Sequence, residues 1–410
     1  MQGLAPAHWM TSAKKRKRLS AMSLRAKCAI AGLGQTRMGK NFDHPGPIGF
    51  AAEAVNLALD DAGLQRADLD GLLVNPGITW LNNPMASSSL QHAMGLGDLR
   101  LTATMNLGGA TGAAMIMHAA QAIDAGMAEV VACVFADAPL RPPSPNKGDG
   151  GGSAAFYGFA QGLDAHYGLF GVNAHYAFVA QRHMYRYGTT NDHLGAVAVS
   201  ERNWANLNPA AQFCDTPMSM ADYHASRWVV EPFHLFDCCL VSNGGLAVIV
   251  TSAERAKNLK RPPVYILGMG QGHPGRDPLE TLLSGAPIAK DTAFKMAGIK
   301  LADVNFCELY DCYTFTVLVT LEDYGFCKKG EGGPFVANGA IGPGGSLPVN
   351  TGGGQLSSFY MWGMTPVAEA IVQVRGDGGR RQVPKHDVGL VSGNGGILAT
   401  HSTLVLGSQP

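Results

Sequence analysis

The chain has 410 residues, 31 Lys plus Arg against 31 Asp plus Glu, 46% hydrophobic residues and 53 glycines. A formal net charge of zero argues against a binder of phosphate backbones, which needs a basic excess, so no nucleic-acid partner is expected. Charged residues make up only 15%, against about 25% in a typical soluble domain, so much of the surface is expected to be covered by subunit contacts.

Residues 1–26 carry the basic run Lys14 to Arg18 with no apolar segment after it, which reads as a flexible extension and not a secretory signal. Ordered structure is predicted to start with a buried strand at Cys28–Gly34. Pro47 to Gly63 follows as an amphipathic helix closed by glycine, and Leu69–Val74 as a second strand. Residues 106–126 read as a helix buried on all sides, and Glu129–Phe135 as another strand. This alternation makes the class α/β. A Pro/Gly-rich loop at 138–153 opens an insertion running to about 232, whose later part reads as helical. Strands resume at Leu246.

Eight cysteines show no C-x-x-C pair and no disulfide framework or metal spacing, which reads as reduced thiols in a cytoplasmic protein. No apolar run reaches the roughly 18 residues of a membrane span. Gly32 and Gly34 do not form a dinucleotide fingerprint, because Arg37 stands at the third glycine position.

The chain repeats itself. Ala62-Gly-Leu-Gln-Arg-Ala-Asp-Leu-Asp recurs as Ala297-Gly-Ile-Lys-Leu-Ala-Asp-Val-Asn, each copy preceded by a helix and by a strand ending Gly32-Leu-Gly34 or Gly268-Met-Gly270. Gly108-Gly109-Ala-Thr-Gly112 before an apolar helix answers Gly352-Gly-Gly354, and Ser242-Asn-Gly-Gly245 answers Gly393-Asn-Gly-Gly396. The expectation is two βαβ-rich halves, 27–257 with the insertion at about 138–232, and 258–410.

Asp237-Cys-Cys239 with Asn243-Gly-Gly, Glu308-Leu-Tyr-Asp-Cys-Tyr313, Asn350-Thr-Gly-Gly-Gly354 and Gly393-Asn-Gly-Gly396 together resemble the thiolase superfamily, in its sterol-carrier-protein branch, over about residues 27–407. The resemblance implies a thiolase-like five-layer αβαβα fold, a homodimer, and coenzyme A as part of the substrate with no covalently bound cofactor and no metal. The thiolase catalytic positions have changed. The two cysteines stand here as Gly109 and Gly393, the two histidines as Tyr310 and Tyr360. A thiolase needs the first cysteine as its nucleophile, and glycine has no side chain to serve.

In this the chain is similar to the steroid side-chain-cleaving aldolases that lack the thiolase cysteine. That similarity implies retro-aldol cleavage of a β-hydroxyacyl-CoA to a ketone and a shorter acyl-CoA such as propionyl-CoA, with Tyr310 and Tyr360 catalytic. It also implies a small OB-fold, zinc-ribbon partner completing a heterotetramer. Glycine N–H groups at Gly109, Gly395 and Gly396 are the candidate oxyanion donors, and the missing side chain at 109 is expected to make room for a bulky substrate. Cys312 and Met361 are candidate pocket residues. Two other readings stand beside the lyase: an acyltransferase using an atypical nucleophile such as Cys312, and a non-catalytic acyl-CoA- or lipid-binding subunit. By position alone, a tyrosine in a Gly-rich apolar segment is better explained by packing.

Overall fold

The structure is a computed structural model that describes residues 23–142, 166, 167, 169 and 171–410. The predicted extension up to residue 22, and the Pro/Gly-rich loop beyond residue 142, lie outside the described residues.

Nine strands form one mixed sheet: β1 (Cys28–Gln35), β2 (Gly71–Pro76), β3 (Leu101–Thr104), β4 (Val130–Asp137), then beyond the insertion β7 (Gly244–Ser252), β8 (Val264–Gly272), β9 (Phe306–Glu308), β10 (Val388–Gly395) and β11 (Thr400–Gly407). Strands β5 (Trp228–Val230) and β6 (Phe233–His234) make a separate two-stranded ribbon in the insertion. The order is β3-β2-β4-β7-β1-β8-β11-β10-β9. Read outwards from the β1/β8 seam, the two sides match. Each inner strand pairs antiparallel with β7 or β11, which pairs antiparallel with β4 or β10, which pairs parallel with β2 or β9. Even β3 has its counterpart, in an isolated parallel bridge of Cys307 with Val349. The seam itself is narrow, pairing only Ala29 with Tyr265 and Ile30 with Val264.

Helices α1 (Pro47–Ala62), α2 (Ala86–Met94) and α3 (Thr111–Asp124) belong to the first half; α4 (Gly171–Tyr187), α5 (Asn191–Ala205) and α6 (Met220–Ala225) to the insertion; α7 (Ala286–Ala297), α8 (Thr314–Tyr324), α9 (Gly332–Ala337) and α10 (Met364–Arg375) to the second half. Helices α3 and α10 touch strands of both halves and each other, so they form the middle layer. Helix α1 covers the outer face of β1 and β7, and α7 that of β8 and β11. The central strands are therefore apolar on both faces: all eight residues of β4 are buried.

The repeated glycines have a packing reason. A Cβ on Gly32 or Gly34 would stand 2.1 or 2.0 Å from a carbonyl oxygen of α1, and one on Gly268 or Gly270 2.1 or 2.2 Å from a carbonyl oxygen of α7. Only glycine lets each helix backbone lie directly on its strand. The repeated Ala-Asp has a reason too: Asp68 and Asp303 accept the backbone N–H of Gln65 and Lys300, at 2.8 and 2.7 Å, capping matching one-turn helices.

The second middle helix begins later than its glycines suggested. Gly354–Ser358 form a single wide turn, and α10 starts at Met364. The true equivalents are Asn106–Thr111 and Tyr360–Thr365. Thr111 Oγ1 accepts the N–H of Leu107 at 2.7 Å, and Thr365 Oγ1 accepts that of Met361 at 2.9 Å. Both turns need a left-handed residue at the same place: Gly108 at φ +58°, and Trp362 at φ +46°. A bulky residue there is strained.

Candidate active site

Tyr310 lies in the segment between β9 and α8. Leu309 donates its N–H to Asn350 Oδ1 at 2.7 Å, and Thr316 Oγ1 donates to the Tyr310 carbonyl at 3.0 Å, so the backbone is held on both sides. Asp311 points elsewhere. Its carboxyl accepts the backbone N–H groups of Gln355 and Leu356 at 2.6 and 3.2 Å and the Gln355 side-chain amide at 2.9 Å. That ties the Tyr310 segment to the one leading to Tyr360. Tyr360 is fixed in turn by donating its N–H to Ser242 Oγ at 3.2 Å.

The two phenol hydroxyls meet at 3.0 Å. Tyr310 is 4% exposed and Tyr360 only partly buried, so Tyr360 is the member nearer solvent. Burial pushes both hydroxyls well above the ordinary tyrosine range; for Tyr360 the Tyr310 hydrogen bond pulls partly the other way. Both are neutral phenols at physiological pH.

The glycines gather around this pair. A Cβ on Gly109 would lie 2.2 Å from Cε2 and Cζ of Tyr310 and 2.5 Å from the Asn394 carbonyl oxygen. The vacated side-chain volume at 109 thus holds the ring of Tyr310, not the substrate for which the sequence had reserved it. Gly393 is equally constrained, since a Cβ there would be 2.5 Å from Ser402 Oγ and 2.7 Å from the Gly109 oxygen. Gly395, at the end of β10, packs on the Leu107 carbonyl, and Gly396 turns away at φ +59°. Gly109, Gly395 and Tyr310 are therefore brought together, with Gly396 at the rim.

Cys312 is 5% exposed and lies against Tyr176; burial raises its thiol far above the ordinary range. It is a neutral thiol, not the thiolate that a nucleophile requires. Met361 is fully buried in the core. Cys238 and Cys239 are partly buried and pack against the core.

Two residues beside the pair escaped the sequence reading. Tyr176, on α4 of the insertion, donates its hydroxyl to Asn394 Oδ1 at 3.3 Å, and its ring packs 4.7 Å from that of Tyr313. Asn394 stood in the quoted Gly393-Asn-Gly-Gly396 segment, but only its glycines drew attention. Tyr176 carried no motif at all. Behind the pair, Glu308, Asp311 and Glu369 with Arg381 border a small cavity of about 50 Å³. Among the described residues, no group of three or more His, Cys, Asp or Glu could hold a metal ion, and no helix is long and apolar enough to cross a membrane.

The model of the thiolase C-terminal domain-like family matches residues 276–408. A steroid side-chain-cleaving aldolase of Thermomonospora curvata is 35% identical over 396 residues, covering 93% of this chain and 98% of the relative. The chain belongs to the thiolase superfamily. Within it the chain falls in the sterol-carrier-protein branch, beside the steroid side-chain-cleaving aldolases. A second relative of this thiolase-like chain is the 17-hydroxy-3-oxo-4-pregnene-20-carboxyl-CoA lyase of Mycobacterium tuberculosis, 36% identical over 86% of this chain and 92% of the relative. Among solved structures, an Ltp2-ChsH2(DUF35) aldolase superposes with a TM-score of 0.81 at 34% identity, covering 95% of this chain and all of that one. Human mitochondrial 3-ketoacyl-CoA thiolase in complex with CoA superposes at 0.69 with 17% identity over 95% of this chain and all of that one, which shows the shared fold.

Proposed function

We propose that this thiolase-like chain is a carbon–carbon lyase that cleaves a β-hydroxyacyl-CoA by retro-aldol reaction. The substrate is a steroid side-chain CoA thioester, and the products are a ketone and a shorter acyl-CoA such as propionyl-CoA. The observation that carries this reading is the hydrogen-bonded pair Tyr310–Tyr360, at 3.0 Å, in a site where glycine stands for the acyl-accepting cysteine. The aldolase and lyase relatives, similar over most of the chain, support it.

The reaction moves one proton from the substrate hydroxyl to the α-carbon. As the hydroxyl proton leaves, the bond between the α- and β-carbons breaks. The hydroxyl carbon becomes the ketone, and the bond electrons pass into the thioester as an enolate. The α-carbon then takes a proton. A free phenolate would be costly in this buried site, because desolvation disfavours the charged form. The pair avoids it by acting as a relay: one hydroxyl oxygen accepts the substrate proton as the other gives its own to the enolate carbon. No covalent acyl-enzyme forms, so none of the residues must replace the thiolase cysteine. Backbone N–H groups of Gly109, Gly395 and Gly396 are the proposed donors to the enolate oxygen, each worth on the order of 3 kcal/mol in the transition state.

The chain works as a homodimer joined by a small OB-fold, zinc-ribbon partner in a heterotetramer. The aldolase structure named with a DUF35 component supports a partner of that kind. All eight cysteines are free thiols, in keeping with the cytoplasm.

The test is incubation with a 17-hydroxy steroid 20-carboxyl-CoA and detection of the 17-ketone and propionyl-CoA. Turnover lost in Tyr310→Phe and in Tyr360→Phe is the expected result. Full turnover in the double variant overturns the tyrosine mechanism. Substrate-protected labelling of Cys312 by iodoacetamide, with loss of activity, would favour the acyltransferase instead.

A further inference from the structure

Asn394 is fully buried, and its side chain is only half used. Its Oδ1 accepts the Leu398 N–H and the Tyr176 hydroxyl, each at 3.3 Å. A backbone N–H can only donate, so the atom facing Leu398 is the oxygen, which settles the orientation of the amide. The other end, Nδ2, carries two N–H donors and meets no partner among the described residues. Buried donors left unmet are rare, and each calls for an explanation.

The place supplies one. Asn394 stands between Gly393 and Gly395. Its carbonyl oxygen lies 2.5 Å from the point at which a Cβ on Gly109 would stand, and the Tyr310 ring carbons lie 2.2 Å from that same point. Its partner Tyr176 is close enough to Tyr310 and Tyr360 for a charge on one to be felt at the others. The turn that follows is strained: Gly396, Ile397 and Leu398 are all left-handed, at φ +59°, +56° and +68°. Strained backbone of this kind persists where function needs it.

We propose that the Asn394 side-chain amide donates to an acyl oxygen of the bound CoA thioester, and that Tyr176 is the positioning residue that holds the amide for it. This rests on the retro-aldol reading, and adds a side-chain donor to the backbone donors of the neighbouring glycines.

Asn394→Asp is the decisive variant. It keeps the oxygen that anchors Leu398 and Tyr176, and replaces the donor with an acceptor. The kcat should fall about 100-fold, as for loss of one oxyanion donor, beyond what the lower melting temperature expected of an unpaired buried carboxyl explains. An unreactive acyl-CoA lacking the β-hydroxyl should bind Asn394→Asp more weakly than wild type. The corresponding CoA thioether, which has no acyl oxygen, should bind both alike. Tyr176→Phe should lose about tenfold in kcat and add little on top of Asn394→Asp. Wild-type kcat in Asn394→Asp overturns the proposal. So does equal weakening toward thioester and thioether, which marks a purely structural role. If Asn394→Asp does not fold, wild-type kcat in Tyr176→Phe overturns it. A wild-type protein that cleaves no β-hydroxyacyl-CoA sinks the reaction itself; a wild-type protein that cleaves, beside an equally active Asn394→Asp, sinks only this assignment.

Discussion

The ring of Tyr310 occupies the volume that a side chain at Gly109 would fill, with Cε2 and Cζ both 2.2 Å from the missing Cβ. The two positions are one steric unit. A tyrosine fits here only because the residue facing it has no side chain, so glycine at 109 and tyrosine at 310 go together.

It follows that Gly109→Cys does not restore a thiolase. Gly109→Ala should already cost about 1–3 kcal/mol of stability through overpacking and remove most lyase activity by displacing the phenol. Combined with Tyr310→Val, it should lose much less stability than the single changes sum to. Thermal melts of the four proteins in this cycle measure the coupling; additive losses would show that the contact relaxes freely.

Tyr310→Phe and Tyr360→Phe each remove one hydroxyl from a 3.0 Å hydrogen bond. Stability should change by about 1 kcal/mol, while kcat falls by about 10²–10⁴-fold. Cys312→Ala, by contrast, should retain substantial turnover, because its neutral thiol takes no part. Steady-state kinetics beside melting curves separate the two behaviours.

Glu201 Oε2 and Asp311 Oδ2 lie 2.4 and 2.2 Å from the point where a Cβ on Gly354 would stand. Burial, then the Asp311 charge, raises the Glu201 carboxyl far above the usual range. Glu201→Gln should therefore cost no more than about 1 kcal/mol. Asp311→Asn, which cannot accept all three N–H groups that Asp311 holds, should cost about 3 kcal/mol and lower kcat by loosening Tyr360. Urea unfolding and kinetics test both.

His401 is fully buried, and desolvation lowers its pKa from 6.5 to about 3. An unfolded chain protonates this imidazole near 6.5 and the folded one only near 3, so between those values the unfolded state binds more protons. Stability from this group is complete above about pH 6.5 and falls as pH drops through the window, by several kcal/mol in all. His401→Asn should flatten that acid slope. Unfolding midpoints measured from pH 7 to pH 4 decide it; equal slopes would assign the acid sensitivity to other groups.

Much of the architecture was legible because the chain states it twice. The Gly-x-Gly strand endings, the Ala-Asp caps and the helix-closing glycines recur at matching places, and each has a local cause: close approach, capping or a left-handed turn. The tyrosine pair was legible through the motifs around Tyr310 and Tyr360, 50 residues apart. What was hidden depends on volume and direction between distant segments. Gly109 announced an empty space but not that Tyr310 would fill it. The start of α10 at Met364 was masked by the richer glycine signal of Gly352–Gly354. Asn394 and Tyr176 meet only because the insertion folds back over the end of β10, and no periodicity records that.

The middle helices α3 and α10 each rest on strands from both halves, while the two sides of the sheet join through only two residue pairs at the seam. Neither half can wrap its own helix. A fragment ending near residue 257 would leave an apolar helix face bare and β1 as an unpaired edge, an invitation to aggregate. Two such fragments made in one cell, however, carry complementary unsatisfied surfaces, and should recover a native-like particle that neither reaches alone.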